Sequence, residues 1–135
     1  MYWTRPPEGY RRFISTPGAG VLLAASTPAL AQVVISEILY DPVGGSTNEF
    51  VELYNAGTNP ADLANWRFND GITYLFSDPT PLATGAYLVV AADRAAFALR
   101  YPAVTNLAPG AFSGQLSNGG ERLALSDAAT VEVFA

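Results

Sequence analysis

Two short runs constrain this chain more than anything else in it: Val33-Val34-Ile35-Ser36-Glu37-Ile38-Leu39-Tyr40 and Phe50-Val51-Glu52-Leu53-Tyr54-Asn55. Both are rich in β-branched, aromatic and leucine side chains, which suit a pleated, half-buried surface, and a turn-rich segment separates them. Each therefore reads as a strand. Each also carries a glutamate in its middle, and a strand carboxylate drawn partly out of water needs a hydrogen-bond or charge partner.

The rest of the chain continues in the same manner. Asp41-Pro42-Val43-Gly44-Gly45-Ser46-Thr47-Asn48 and Ala56-Gly57-Thr58-Asn59-Pro60 supply turn chemistry. Trp66-Arg67-Phe68 and Ile72-Thr73-Tyr74-Leu75-Phe76 flank Asn69-Asp70-Gly71, a hairpin signature because asparagine and glycine tolerate the positive φ of tight turns. Tyr87 to Ala91 is the most apolar run, and is expected to be a central strand buried on both faces. Asp93 to Tyr101 opens on a capping residue, is rich in alanine and stops before Pro102, which predicts a two-turn helix with Phe97 and Tyr101 on one face. Further strands are expected at Gln115–Ser117, Arg122–Ser126 and Val131–Phe134. Many short strands with turns between them predict one antiparallel β-sandwich or small barrel.

The first 31 residues differ from the remainder. Arg5, Arg11 and Arg12 precede an uncharged stretch from Phe13 to Leu30, and Ala29-Leu30-Ala31 supplies a small-residue cleavage site. This predicts a secretory signal at residues 1–31, cut before Gln32, with residues 32–135 as the mature domain. Pro17, Gly18, Gly20 and Pro28 break any long helix here, so no membrane span is expected once the signal is removed. The Arg11-Arg12 pair resembles a twin-arginine signal only weakly.

Composition excludes several chemistries. The chain has no cysteine and no histidine, so disulfides, the usual zinc sites and His-based triads are absent. Residues 32–135 hold eleven acidic residues against four arginines and no lysine, a net charge of −7. Such a surface repels phosphate backbones, and no nucleic-acid partner is expected.

Five blocks in register resemble the lamin tail domain family. These are Val34-Ile35-Ser36-Glu37-Ile38, Glu49 to Asn55, Asp62-Leu63-Ala64-Asn65-Trp66, Gly85 to Ala91, and Leu116 to Asp127. The third block usually has a glycine where Asn65 stands, and a glycine turn expected after Asp127 is replaced by Ala128-Ala129. The resemblance implies an immunoglobulin-like β-sandwich, with Trp66 in the core. It further implies a non-catalytic binding or attachment module, exported in bacteria and often accompanying a hydrolase or nuclease on a longer chain. Nucleic-acid binding is known among nuclear relatives. The closing strand reads as cut short.

Several residues invite a functional reading. Glu37 and Glu52 would lie near each other if the first two strands pair, as the paired acids of a glycosidase do, but as part of the family signature they read as structural. Asp41, Asn48 and Glu49 flank one loop and could offer oxygens to calcium, yet their spacing matches no known calcium loop and turn chemistry is favoured. Asn55, at a strand end, is expected to bond local backbone. Tyr40, Tyr54, Tyr74, Phe76 and Tyr87 could form a binding stripe, but a sandwich first uses aromatics to fill its core. The sequence therefore predicts no catalytic, cofactor-binding or metal residues. It predicts an exported interaction module for a protein or cell-envelope component, secreted or held at the envelope. The rival is an accessory fragment of a larger secreted hydrolase or nuclease.

Overall fold

A computed structural model describes residues 10–12 and 33–134; apart from Tyr10–Arg12, the expected signal at residues 1–31 lies outside the described residues. Two four-stranded antiparallel sheets make the domain. The first has the order β1 (Tyr10–Arg12), β2 (Val33–Leu39), β3 (Phe50–Asn55), β8 (Tyr87–Ala91). The second has the order β10 (Glu132–Phe134), β9 (Ala124–Ser126), β5 (Arg67–Asp70), β6 (Tyr74–Leu75). β4 (Ala61–Asp62) and β7 (Pro81–Leu82) form a small separate pair. β10 also approaches β2 across the gap between the sheets.

The core lies between the two sheets. Val33, Ile35, Ile38 and Tyr40 from the β2 segment meet Val51 and Leu53 of β3, and Phe68, Tyr74, Phe76, Leu123 and Leu125 close it from the other side. Each buried leucine or phenylalanine contributes about 1.5–3 kcal/mol by leaving water, so this cluster is the main support of the fold. The two strand runs that dominate the sequence are thus its centre.

A second apolar cluster sits on the outer face of the first sheet. Leu39, Phe50, Val89 and Ala91 are covered there by Phe97 of α1 (Arg94–Arg100), with Tyr101, Val104 and Leu107 around the margin. The Phe97 ring stands edge-on to Phe50 at 5.3 Å, and Tyr101 lies 4.8 Å from Phe97. Asp93 caps the helix by accepting the Ala95 and Ala96 N–H groups, worth about 1 kcal/mol. The helix covers one end of the sheet face and leaves the other end to different side chains.

The structure departs from the sequence reading in four places. β8 is an outer strand of its sheet, not a central one, and Tyr87 is 42% exposed. Its apolar run is explained by cover from α1 on one face and the core on the other, which buries only Val89, Val90 and Ala91. Gln115–Ser117 forms no strand, because the Leu116 N–H is taken by a side chain, Glu49, in place of a neighbouring strand. Trp66 is half-buried at the margin of the core. The second arm of the hairpin shrinks to Tyr74–Leu75, since Thr73 pairs with Ser113 and Phe76 donates back to the Trp66 carbonyl.

Candidate interaction surface

The site begins with a register shift. Ile35 of β2 pairs with Leu53 of β3, and Glu37 pairs with Glu52, so Ser36 is the additional residue of a β-bulge. Ile35 and Ile38 both enter the core, which puts Ser36 and Glu37 together on the outer face opposite Glu52. The Ser36 hydroxyl donates to Glu52 Oε1 at 2.8 Å and lies 3.2 Å from the Glu52 carbonyl oxygen. The two sequence-singled glutamates are therefore direct cross-strand neighbours. Like charges in that position ordinarily oppose each other.

The same face continues through Tyr54 and Tyr87. They are register partners on β3 and β8, with ring centroids 4.6 Å apart and planes inclined at 32°. Of the five aromatics considered as a stripe, Tyr40, Tyr74 and Phe76 are in the core, as the sandwich reading favours. Tyr54 and Tyr87 instead form an outward pair, half-buried and exposed respectively. The result is an outward row of Glu52, Tyr54 and Tyr87 on the end of the sheet away from α1, with Glu37 buried beside Glu52.

Of the calcium-loop residues, Asp41 and Glu49 share the lining of one small cavity, and Asn48 is not among its lining residues. Asn48 Nδ2 is 3.5 Å from the Val43 carbonyl, Asp41 Oδ1 accepts from Asn118 Nδ2, and Glu49 turns inward. No group of three or more acidic side chains among the described residues is arranged to hold a metal. Glu49 is 1% exposed and accepts the Leu116 N–H at Oε2, 2.9 Å away. It borders a cavity of about 100 Å³ shared with Tyr40, Asp41, Ser46, Gln115 and Asn118. Burial pushes its carboxyl up to about 7; the Leu116 bond works against that rise, while Glu121 and Asp41 add to it. Sequence reasoning weighed Glu49 only as a possible calcium ligand. Nothing in its spacing signals burial, because the Leu116 partner lies 67 residues downstream.

Asn55 behaves as expected and more. It is fully buried, and its Oδ1 accepts the local Gly57 N–H while Nδ2 donates to the carbonyls of Asn59 and Leu82, each at 2.9 Å. It ties the end of β3 to β7.

The bulged first pair of strands, the buried Asn55 at its end and the two facing sheets are the setting in which the family comparison is decisive. The sequence model described as Lamin Tail Domain matches residues 26–134. The chain belongs to the lamin tail domain family. No curated protein matches the sequence. The lamin tail domain is an immunoglobulin-like structural fold, generally non-catalytic, and this domain has the corresponding two-sheet architecture with one short helix. The match starts at residue 26, a few residues inside the stretch that composition assigns to the signal.

Proposed function

We propose that this lamin tail domain is an exported, non-catalytic interaction module that engages a protein or cell-envelope component through the outer face of its first sheet. The observation that carries the reading is the outward Tyr54–Tyr87 pair with the half-buried Glu52 beside it, while Glu37, in register with Glu52, is buried. Tyrosines with one face dry and a polar tip are favoured at interfaces, and carboxylates beside them give orientation. The role of Ser36 in binding Glu52 supports a structural task for the glutamate pair over an acid–base one. Export rests on the composition of residues 1–31, and a partner with basic groups suits the net charge of −7 over residues 32–135.

The test is a cross-linking pull-down on cell-envelope extract. The protein with Tyr54→Ala and Tyr87→Ala should lose the specific partner while melting within a few degrees of the parent. Retention of the same partner by a folded double variant would refute this surface. N-terminal sequencing of the protein recovered from cells checks export: the reading expects Gln32 at the new terminus.

A further inference from the structure

The two edges of the first sheet are closed in different ways. At β8 the domain's own body seals the edge. The Val89 N–H donates to the Asn106 carbonyl, the Val89 carbonyl accepts from Ala108, the Ala91 carbonyl accepts from Phe112, and Asn106 Nδ2 donates to the Tyr87 carbonyl. At β2 the edge is covered by three residues from another part of the sequence, with Tyr10 opposite Leu39, Arg11 opposite Ile38 and Arg12 opposite Glu37. That covering strand lies within the residues that composition assigns to a removable leader.

The register of this cover has a chemical sense. Arg12 is opposite Glu37, and Glu37 is opposite Glu52, so three neighbouring strands carry arginine, glutamate and glutamate in one row. Two carboxylates in direct cross-strand register repel, so an added strand with a basic residue at the register position opposite Glu37 suits that row. An exposed strand edge is also a ready template for another chain, which supplies main-chain hydrogen bonds while its side chains supply the selectivity.

We infer that the Glu37–Leu39 edge of β2 is a strand-acceptor site for an extended segment of a partner polypeptide, added antiparallel with an arginine or lysine opposite Glu37. Tyr10–Arg12 is the chain's own placeholder in that site. Cleavage before Gln32 removes the placeholder and hands the edge to the partner, so the inference rests on the exported-module reading above. The acidic balance of residues 32–135 draws a basic segment toward the edge, and the sealed β8 edge leaves β2 as the side of this sheet where a strand can exchange.

The experiment uses the full chain and a variant carrying Tyr10→Gly, Arg11→Pro and Arg12→Gly, which disfavours strand pairing at the edge. The probe is a fluorescent synthetic peptide with the sequence of Gly9–Phe13, followed by anisotropy. The triple variant should bind it at least tenfold more tightly than the full chain, and new hydrogen-exchange protection should fall on the amides of residues 37–39. A peptide with glutamate in place of Arg12, or the addition of Glu37→Gln to the variant, should each weaken binding about tenfold, and added salt should weaken it too. Equal binding by the full chain and the triple variant, or equal binding of both peptides, would overturn the acceptor site. Such a result, with Gln32 at the terminus and the partner still captured, removes the edge while leaving the exported module standing. Recovery of uncut protein from cells would instead overturn the claim that processing vacates the edge.

Discussion

Replacing Glu49 by glutamine isolates a buried carboxyl whose ionisation works against the fold. Its pKa rises from the ordinary 4.5 to about 7 on folding, chiefly through burial. The folded state thus holds a proton that the unfolded chain has already released. The stability from this group is fully present below about pH 4.5 and is lost progressively as pH climbs to about 7, above which both states are ionised. At about 1.4 kcal/mol per pKa unit, the loss across that window comes to about 3.5 kcal/mol. Glutamine keeps a carbonyl to accept the Leu116 N–H and never ionises. Glu49→Gln should therefore match the parent near pH 4.5 and exceed it by about 3 kcal/mol at pH 8, a melting-point gain of roughly 15 °C for a domain of this size. Urea unfolding followed by tryptophan emission between pH 4.5 and 8.5 measures it directly. If the two stability curves run parallel across that range, the buried, proton-binding account of Glu49 is wrong.

Three further substitutions address the frame around the site. Asn55→Ala removes three hydrogen bonds from a fully buried side chain and should cost about 3 kcal/mol, read as a lower denaturation midpoint at unchanged m-value. Gly71→Ala should destabilise by about 2 kcal/mol, because φ there is +78° and a Cβ would lie 2.7 Å from the Arg122 carbonyl oxygen; a melt unchanged within a degree or two would contradict this. Thr130→Gly should stabilise by about 1 kcal/mol, since the β-branched residue sits at φ 65° in the turn before β10; calorimetry showing a lower melting temperature would refute that strain.

The elements legible in the sequence were those whose signal is local. β2, β3 and α1 appear almost at their expected limits because period, capping and turn residues are all contained within a few positions. Two departures from the family pattern also become intelligible. Asn65 stands where glycine is usual and adopts φ 64°, which asparagine tolerates. At the missing glycine turn after Asp127, Thr130 takes the positive φ, while Asp127 binds the Val131 N–H through its side chain and the Thr130 N–H through its backbone. What the sequence hid was non-local. The outer position of β8 depends on which strands pair, and an apolar run looks the same whether a neighbouring strand or a helix covers it. The Glu49–Leu116 bond joins loops remote in sequence, and the β4–β7 pair is two residues deep, too short for any periodicity. Trp66, which the family resemblance implies in the core, packs against the core cluster but is only half-buried at the entry to β5.

The glutamates of the first two strands owe their position to the bulge. Strict alternation from Val33 would put Ile35, Glu37 and Leu39 on one face, forcing a carboxylate into the core and Ile38 out of it. One additional residue at Ser36 resets the phase, so that Val33 and Ile35 point inward before it and Ile38 and Tyr40 after it, while Leu39 joins the outer cluster under α1. The device has an electrostatic consequence. Two residues of β2 now face one of β3, and the outward pair is a serine bound to Glu52 together with a second glutamate in register with it. The requirement that keeps the core apolar is thus the same one that concentrates negative charge on the outer face. A strand alongside β2 meets Glu37 at the register position next to Ile38, where Arg12 of β1 is paired.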